Sequence, residues 1–242
     1  MTSSRGEREA VIDASAKPPA VVECTNVSRT FGSGATAVHA VRDVNCRISP
    51  WARIAVTGPS GSGKSTLLHL IAGLDVPTAG SVRWPALPDR HGHPSAIGMV
   101  FQGPSLLPSL DVTENVALPL LFAGKPHQAA MRHARATLDL VEIGDLAAKL
   151  PDELSGGQAQ RVAIARVLAA RPAVILADEP TGQLDHPTAD RVITILLDAA
   201  VSIGAAVIIA THDPAIAARL PDQWIMRDGQ LHARTHTDCP PT

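Results

Sequence analysis

Apolar positions along this chain fall into two kinds of run. Short, almost wholly apolar runs of strand length recur at residues 52–57, 97–101, 174–178 and 206–211. A strand without a polar face is buried on both sides, which is the pattern of a parallel sheet covered by helices. Longer segments of helical composition lie between them at 65–72, 156–170 and 187–203. Strands alternating with helices predict an α/β fold with a mainly parallel sheet and a ligand site at the carboxyl ends of its strands. Ahead of this core, residues 20–27 and 38–48 read as β runs separated by the Phe31-Gly32-Ser33-Gly34 turn, predicting an antiparallel β layer beside the core. Residues 80–84 form another strand, followed by a loop at 85–94 rich in proline and histidine. Asp228-Gly229, between Trp224-Ile225-Met226 and Leu231, marks a closing hairpin.

The pattern changes from Gly103 to Leu150, where helices are expected with breaks at Pro104, Pro108, Pro119 and Pro126 and cores at 112–118 and 128–141. This region reads as a helical subdomain inserted over about residues 103–170. Residues 1–19 and 233–242 read as polar or proline-bearing tails, leaving 20–232 as the domain. No internal repeat is visible, so one α/β unit per chain is expected.

A chain of 242 residues with 45% hydrophobic and 18% charged content can bury a full core. Its formal net charge of −2 supplies no excess of cations for phosphate neutralisation, so no nucleic acid is expected as the main ligand. Cys24, Cys46 and Cys239 are odd in number, widely separated and form no C-x-x-C pair. Neither a disulfide framework nor a zinc site is indicated. His232, His236, Asp238 and Cys239 lie near the polar tail and are read as tail residues rather than a metal site. The start lacks the apolar core of a signal peptide, and no run reaches the roughly 18–20 apolar residues of a membrane span. The expectation is a soluble, cytoplasmic chain that meets a membrane only through a partner.

The candidate chemistry begins at Gly58-Pro59-Ser60-Gly61-Ser62-Gly63-Lys64-Ser65, between the apolar run at 52–57 and the helical run that continues through Thr66. In the spacing G-x-x-x-x-G-K-S, backbone N–H groups turn inward around a phosphate chain, the lysine reaches the outer phosphates and the serine hydroxyl faces Mg²⁺. The helix N-terminus adds its unpaired N–H groups and partial positive charge. Asp178-Glu179 ends a buried strand. Beside a phosphate loop, Asp178 suits Mg²⁺ and Glu179 suits a base that orients and deprotonates water. His212 follows the next apolar strand and would emerge on the same sheet edge, within reach of a γ-phosphate; Gln102, after the strand at 97–101, would offer an amide to Mg²⁺ or the water. Leu154-Ser155-Gly156-Gly157-Gln158 precedes an alanine-rich helix, with Ser155 as candidate N-cap.

With these elements in this order, the chain resembles the ATP-binding cassette family across residues 20–232. The resemblance rests on the phosphate loop, Gln102, the signature at Leu154 to Gln158, Asp178-Glu179, the loop at Leu184-Asp185 and His212. It implies ATP and Mg²⁺ as ligands, and a head-to-tail homodimer in which ATP is clamped between the phosphate loop of one copy and the signature of the other. It also casts Phe31 as the aromatic that stacks on adenine and Asp185 as a contributor to the nucleotide seam. Within the family, Gly73-Leu74-Asp75-Val76-Pro77-Thr78, Glu114-Asn115-Val116 and Ala177-Asp178-Glu179-Pro180-Thr181-Gly182 are similar to the branch of lipoprotein-releasing, macrolide-export and cell-division ATPases. That branch implies an integral membrane permease as partner and a place on the inner face of the cell membrane. A membrane-tethered regulatory ATPase that moves no solute is the alternative, and a cytosolic switch in translation or DNA maintenance a more distant one. Pro50-Trp51-Ala52 departs from the family's usual Gly-Glu, and Gly103 stands where a second glutamine is common. Leu106, Leu107, Leu110, Leu120, Leu121 and Phe122 are either a docking groove for the permease or subdomain core.

Overall fold

The computed structural model describes residues 19–87 and 96–234. The segments read as tails, with His236, Asp238 and Cys239, therefore lie almost entirely outside the described residues, as does most of the loop at 85–94.

Six strands form the central sheet: β3 (Arg53–Thr57), β5 (Ile97–Val100), β6 (Val174–Asp178), β7 (Ala206–Ala210), β8 (Asp222–Arg227) and β9 (Gln230–Arg234). Their spatial order is β5-β6-β7-β3-β8-β9, parallel throughout except for the β8–β9 hairpin. Asp228 and Gly229 turn that hairpin with φ of 48° and 78°, the left-handed pair that a two-residue turn requires. β9 extends two residues into the segment the sequence assigns to the tail, and carries His232 opposite Ile225.

The apolar runs are explained by the two faces of this sheet. Val174, Leu176, Ile208 and Val56 point to one core, which they share with helix α1 (Lys64–Ala72) and a second sheet. Ile175, Ala177, Ile209 and Ala55 point to the other, shared with α2 (Val112–Phe122), α3 (His127–Leu140), α4 (Gly156–Ala169), α5 (His186–Ile203) and α6 (Pro214–Ala217). Residues that alternate along a strand but are apolar on both sides produce the unbroken runs in the sequence. The helices α2, α3 and α4 pack on one another and share their apolar core with the sheet.

The second sheet is antiparallel, ordered β2-β1-β4, from β1 (Val22–Phe31), β2 (Val38–Ile48) and β4 (Ala79–Arg83). β1 runs four residues further than the sequence reading, so Phe31 is the last residue of a strand rather than part of the turn. Its partner is Val38, and the pairing of Arg29 with Val41 and Thr30 with His39 leaves Ala40 as an extra residue on β2, a β-bulge. Cys24 and Cys46, far apart in sequence, are register partners across these strands; both are free thiols, and a hydrogen bond with Cys24, with burial second, holds the Cys46 thiol well above its usual range.

Pro119 does not break α2 as expected; it sits within the helix. An interior proline costs about 3 kcal/mol, while burial of Val112, Val116 and Leu120 against α3 and α4 returns roughly 1.5–3 kcal/mol for each side chain. The start of α2 is also firmly set. Asp111 and Glu114 form a reciprocal capping box, and the fully buried Asn115 amide accepts from Leu107 N–H at 2.8 Å. It donates to the carbonyls of Leu107, Leu110 and Asp111. One side chain thus satisfies a whole loop. Asn115→Ala should destabilise the protein by about 2–4 kcal/mol because those groups lose their partner inside the fold. Urea unfolding monitored by circular dichroism measures the change.

Candidate functional site

The phosphate loop leaves β3 at the centre of the parallel sheet and enters α1 at Lys64. Its path is set by close backbone contacts. A Cβ on Gly58 would overlap the Met226 carbonyl, and one on Gly63, at φ 101°, would overlap the carbonyl of the bulge residue Ala40. The hairpin tip braces the loop from behind, with Gly229 N–H donating to the Ser62 carbonyl at 3.1 Å. Gly63 caps α1 without a side-chain hydrogen bond, so the first N–H groups of the helix remain available to an anion. Lys64, buried to 6% exposure, donates to the Gly58 and Pro59 carbonyls at 2.9 and 3.1 Å. An ammonium has three N–H donors, so one remains for a phosphate. Ser60 and Gly61 are exposed at the loop's outer side, while Ser65 and Thr66 begin the helix.

Asp178 ends β6, two strands from the loop, with β7 between. Its Oδ1 is buried and has no hydrogen-bond partner among the described residues, and the Ser62 hydroxyl is likewise buried without one. A buried carboxylate oxygen left unpaired is costly unless a cation or water completes it. The donor set of Asp178, Ser65 and Gln102 is all oxygen, as a hard divalent cation such as Mg²⁺ prefers.

Glu179 leaves the strand with φ of 46°, a left-handed conformation unusual for a glutamate. Its N–H is held by the Ala210 carbonyl at 2.9 Å, and its Oε2 lies 3.1 Å from His212 Nδ1. The carboxylate is a quarter exposed and the imidazole two-thirds exposed, so solvent reaches the pair. A Cβ added at Gly182 would lie 3.1 Å from Gln102 Nε2 and 3.4 Å from Glu179 Oε2; amide and carboxylate flank the same glycine. Glu179, Gly182, Thr211 and His212 line a cavity of about 110 Å³. The structure thus brings Gln102, Glu179 and His212 together, as the strand ends predict.

The signature is built differently. Ser155 caps α4 and accepts from Gln158 N–H at 3.3 Å, while Ser155 N–H donates to Gln158 Oε1 at 2.9 Å. Gly156 lies against Leu184, and a Cβ on Gly157 would overlap Thr188. Ser155, Gly157 and Gln158 line a cavity completed by Arg161, Thr188 and Arg191 of α4 and α5, not by the phosphate loop of the same chain. Asp185 is the N-cap of α5 and receives the Thr188 N–H at 3.0 Å and its hydroxyl at 2.9 Å. Those bonds, the N–H foremost, hold its carboxyl below the ordinary carboxylate range.

Side chains that the sequence reading did not single out support this site. Gln160, almost fully buried, donates to the Phe101 carbonyl at 3.0 Å, and Arg166 donates to the carbonyls of Ser105 and Pro104. Both belong to α4 and grip the loop that carries Gln102. Partners about 60 residues apart leave no local signal. Phe31 is 43% exposed, and the Arg29 guanidinium sits over its ring at 4.5 Å from the centroid. Here a signal existed: residues two apart on a strand share a face. The six apolar positions weighed as docking groove or core divide. Leu120 is buried, Leu106 and Leu121 pack on the core and Leu110 is half-buried, whereas Leu107 and Phe122 stay exposed. Among the described residues no helix is long and apolar enough to cross a membrane, and no three side chains form a metal-binding cluster of His, Cys, Asp or Glu.

Residues 41–182 match the sequence profile of the family described as ABC transporter. The chain is 40% identical over 214 residues to the lipoprotein-releasing system ATP-binding protein LolD of Legionella pneumophila (strain Paris), covering 85% of this chain and 94% of that protein. It is 38% identical to LolD of Shewanella sp. (strain MR-7), over 86% of this chain and 93% of that one. Among solved structures, the dimeric post-hydrolysis state of the ATP-binding cassette MJ0796 bound to ADP and Pi superposes with a TM-score of 0.80 at 35% identity, covering 89% and 98% of the two chains. CbiO1 from Clostridium perfringens, part of the ABC transporter complex cbiONQ, gives 0.77 at 28% identity, covering 88% and 87%.

The packing around the loop predicts an order among glycine substitutions. Gly61, at φ 75°, has open space at its Cβ position, so Gly61→Ala should cost only the left-handed strain of about 1–2 kcal/mol. Gly63→Ala carries the same strain and must also displace the Ala40 carbonyl, so it should lower the melting temperature further and weaken ATP binding more. Thermal melts with and without ATP measure both.

Proposed function

This chain belongs to the ABC transporter family, and from that premise we propose that it is the ATP-binding and ATP-hydrolysing subunit that drives a separate membrane permease. The observation that carries the reading is the contact between Glu179 and His212 beside Asp178, whose buried Oδ1 has no hydrogen bond among the described residues, on the sheet edge where the phosphate loop opens.

ATP binds with its phosphates against the N–H groups of Gly58 to Ser65 and the start of α1, with Lys64 on the outer phosphates and Phe31 under the adenine. Ser65, Asp178 and Gln102 would hold Mg²⁺, which, when bound, neutralises phosphate charge and polarises the transferring group. Glu179 accepts a proton from the water that attacks the γ-phosphorus, as the bond to the bridging oxygen breaks and ADP departs. His212 orients the Glu179 carboxylate and adds a polar contact at the γ-phosphate. Gln102 senses that phosphate, and its loop is tied to α4 through Gln160 and Arg166, which supports transmission to the helices.

Two copies assemble head to tail. The signature of one, with the N–H groups of Gly156 and Gly157 set by the Ser155–Gln158 capping box, closes on the γ-phosphate held by the other. The separation of the signature's cavity from the chain's own phosphate loop supports this arrangement, as do the dimeric MJ0796 structures. Asp185, rigid as a helix cap, belongs to the same seam. The domain organisation is one cassette over residues 20–232 with a helical subdomain. Exposed Leu107 and Phe122 support an apolar docking contact with a permease on the inner face of the cell membrane. Likeness to the LolD proteins supports a lipid-linked cargo chosen by the permease rather than by this chain.

Glu179→Gln should reduce single-turnover hydrolysis by at least about a hundredfold while ATP binding persists. The same variant should elute as a dimer with Mg-ATP in size-exclusion chromatography and as a monomer without it. Undiminished hydrolysis removes Glu179 as the base, and failure to dimerise removes the two-copy seam.

A further inference from the structure

We infer that Arg29, locked by Asp75, is a positioning residue that presets Phe31 as the base platform; the inference rests on the adenine reading of Phe31 proposed above. Arg29 and Phe31 share one face of β1, and the guanidinium covers one face of the ring at 4.5 Å. A base can therefore stack only on the opposite face, and the 43% exposure of Phe31 leaves the ring accessible.

The cation is not a loose surface group. Its Nε and Nη2 meet the two oxygens of Asp75, both at 2.9 Å, in a fork-to-fork pair whose side chains are only about a quarter exposed. That geometry fixes the plane of the guanidinium as an ammonium could not. Asp75 is itself held, accepting from Val76 N–H at 2.7 Å. It follows directly on the C-terminal cap of α1, where Gly73 takes φ of 66° and Leu74 N–H returns to the His69 carbonyl at 2.9 Å. One short helix thus carries the phosphate site at its first residue and anchors the base platform just past its last.

A terminal strand phenylalanine without such support would sample several rotamers, and the base would have to order it on binding. Fixing the ring beforehand raises affinity without touching the reacting atoms. The effect must therefore appear for nucleotides that carry a base and vanish for a bare phosphate chain.

The test compares equilibrium binding of Mg-ATP and Mg-tripolyphosphate to the full chain carrying Arg29→Met, Asp75→Asn, Phe31→Ala, or Phe31→Ala with Arg29→Met. Arg29→Met should weaken ATP about fivefold and leave tripolyphosphate unchanged; in steady-state hydrolysis KM for ATP rises while kcat holds. In the Phe31→Ala background the Arg29 substitution should have no further effect. Asp75→Asn breaks the fork and should give part of the same loss, so it reads the relay even if Arg29→Met folds poorly. Unchanged or tighter ATP binding by both Arg29→Met and Asp75→Asn, or equal losses for ATP and tripolyphosphate, overturns the inference. A Phe31→Ala variant that binds ATP as well as the parent instead overturns the adenine reading, whatever the Arg29 result.

Discussion

Backbone packed on backbone around the phosphate loop is the constraint on which the rest of the molecule depends. The Gly63 position admits no side chain because the Ala40 carbonyl fills the space, and Gly58 is pressed against Met226. Ala40 reaches that point only because a bulge in β2 adds a residue to the strand. Met226 belongs to β8, and the turn that follows it braces Ser62 through Gly229. A loop of three glycines would otherwise have the greatest conformational freedom in the chain. Here the antiparallel sheet and the closing hairpin hold it from two sides, so the N–H groups are arranged before any anion arrives.

The second dependence runs through α4. Its first turn presents the signature glycines, its middle holds Phe101 through Gln160, and its end holds the Pro104–Ser105 carbonyls through Arg166. The strand end that carries Gln102 is therefore fastened at both sides to the helix whose N-terminus faces outward. A change proposed to begin at Gln102 therefore has a rigid element to act on. Because α2, α3 and α4 share their apolar core with the sheet, that element is joined to the strand ends that carry Asp178 and Glu179 by packing as well as by hydrogen bonds.

Strain and unmet polar groups gather where chemistry is proposed. Glu179 takes a left-handed φ, and among the described residues the buried Asp178 Oδ1 and Ser62 hydroxyl have no hydrogen-bond partner. Each costs stability in the free chain. All lie at or just beyond the carboxyl ends of β3 and β6, while the fully buried Asn115 has both polar atoms of its side chain paired.

The alternation of apolar strands with helical runs, the phosphate loop, the signature, the paired carboxylates and the hairpin turn were legible from sequence because each is a local pattern. Apolar period, glycine at positive φ and helix capping act over a few residues, so residue order alone determines them. The extent of β1, the persistence of α2 through Pro119, the register pairing of Cys24 with Cys46, the split of the leucines between core and surface, and the grip of Gln160 and Arg166 on the Gln102 loop were decided by tertiary structure. So was the pairing of Arg29 with Asp75, 46 residues on. In each case the energy comes from a partner distant in the chain, and burial against that partner outweighs the local preference.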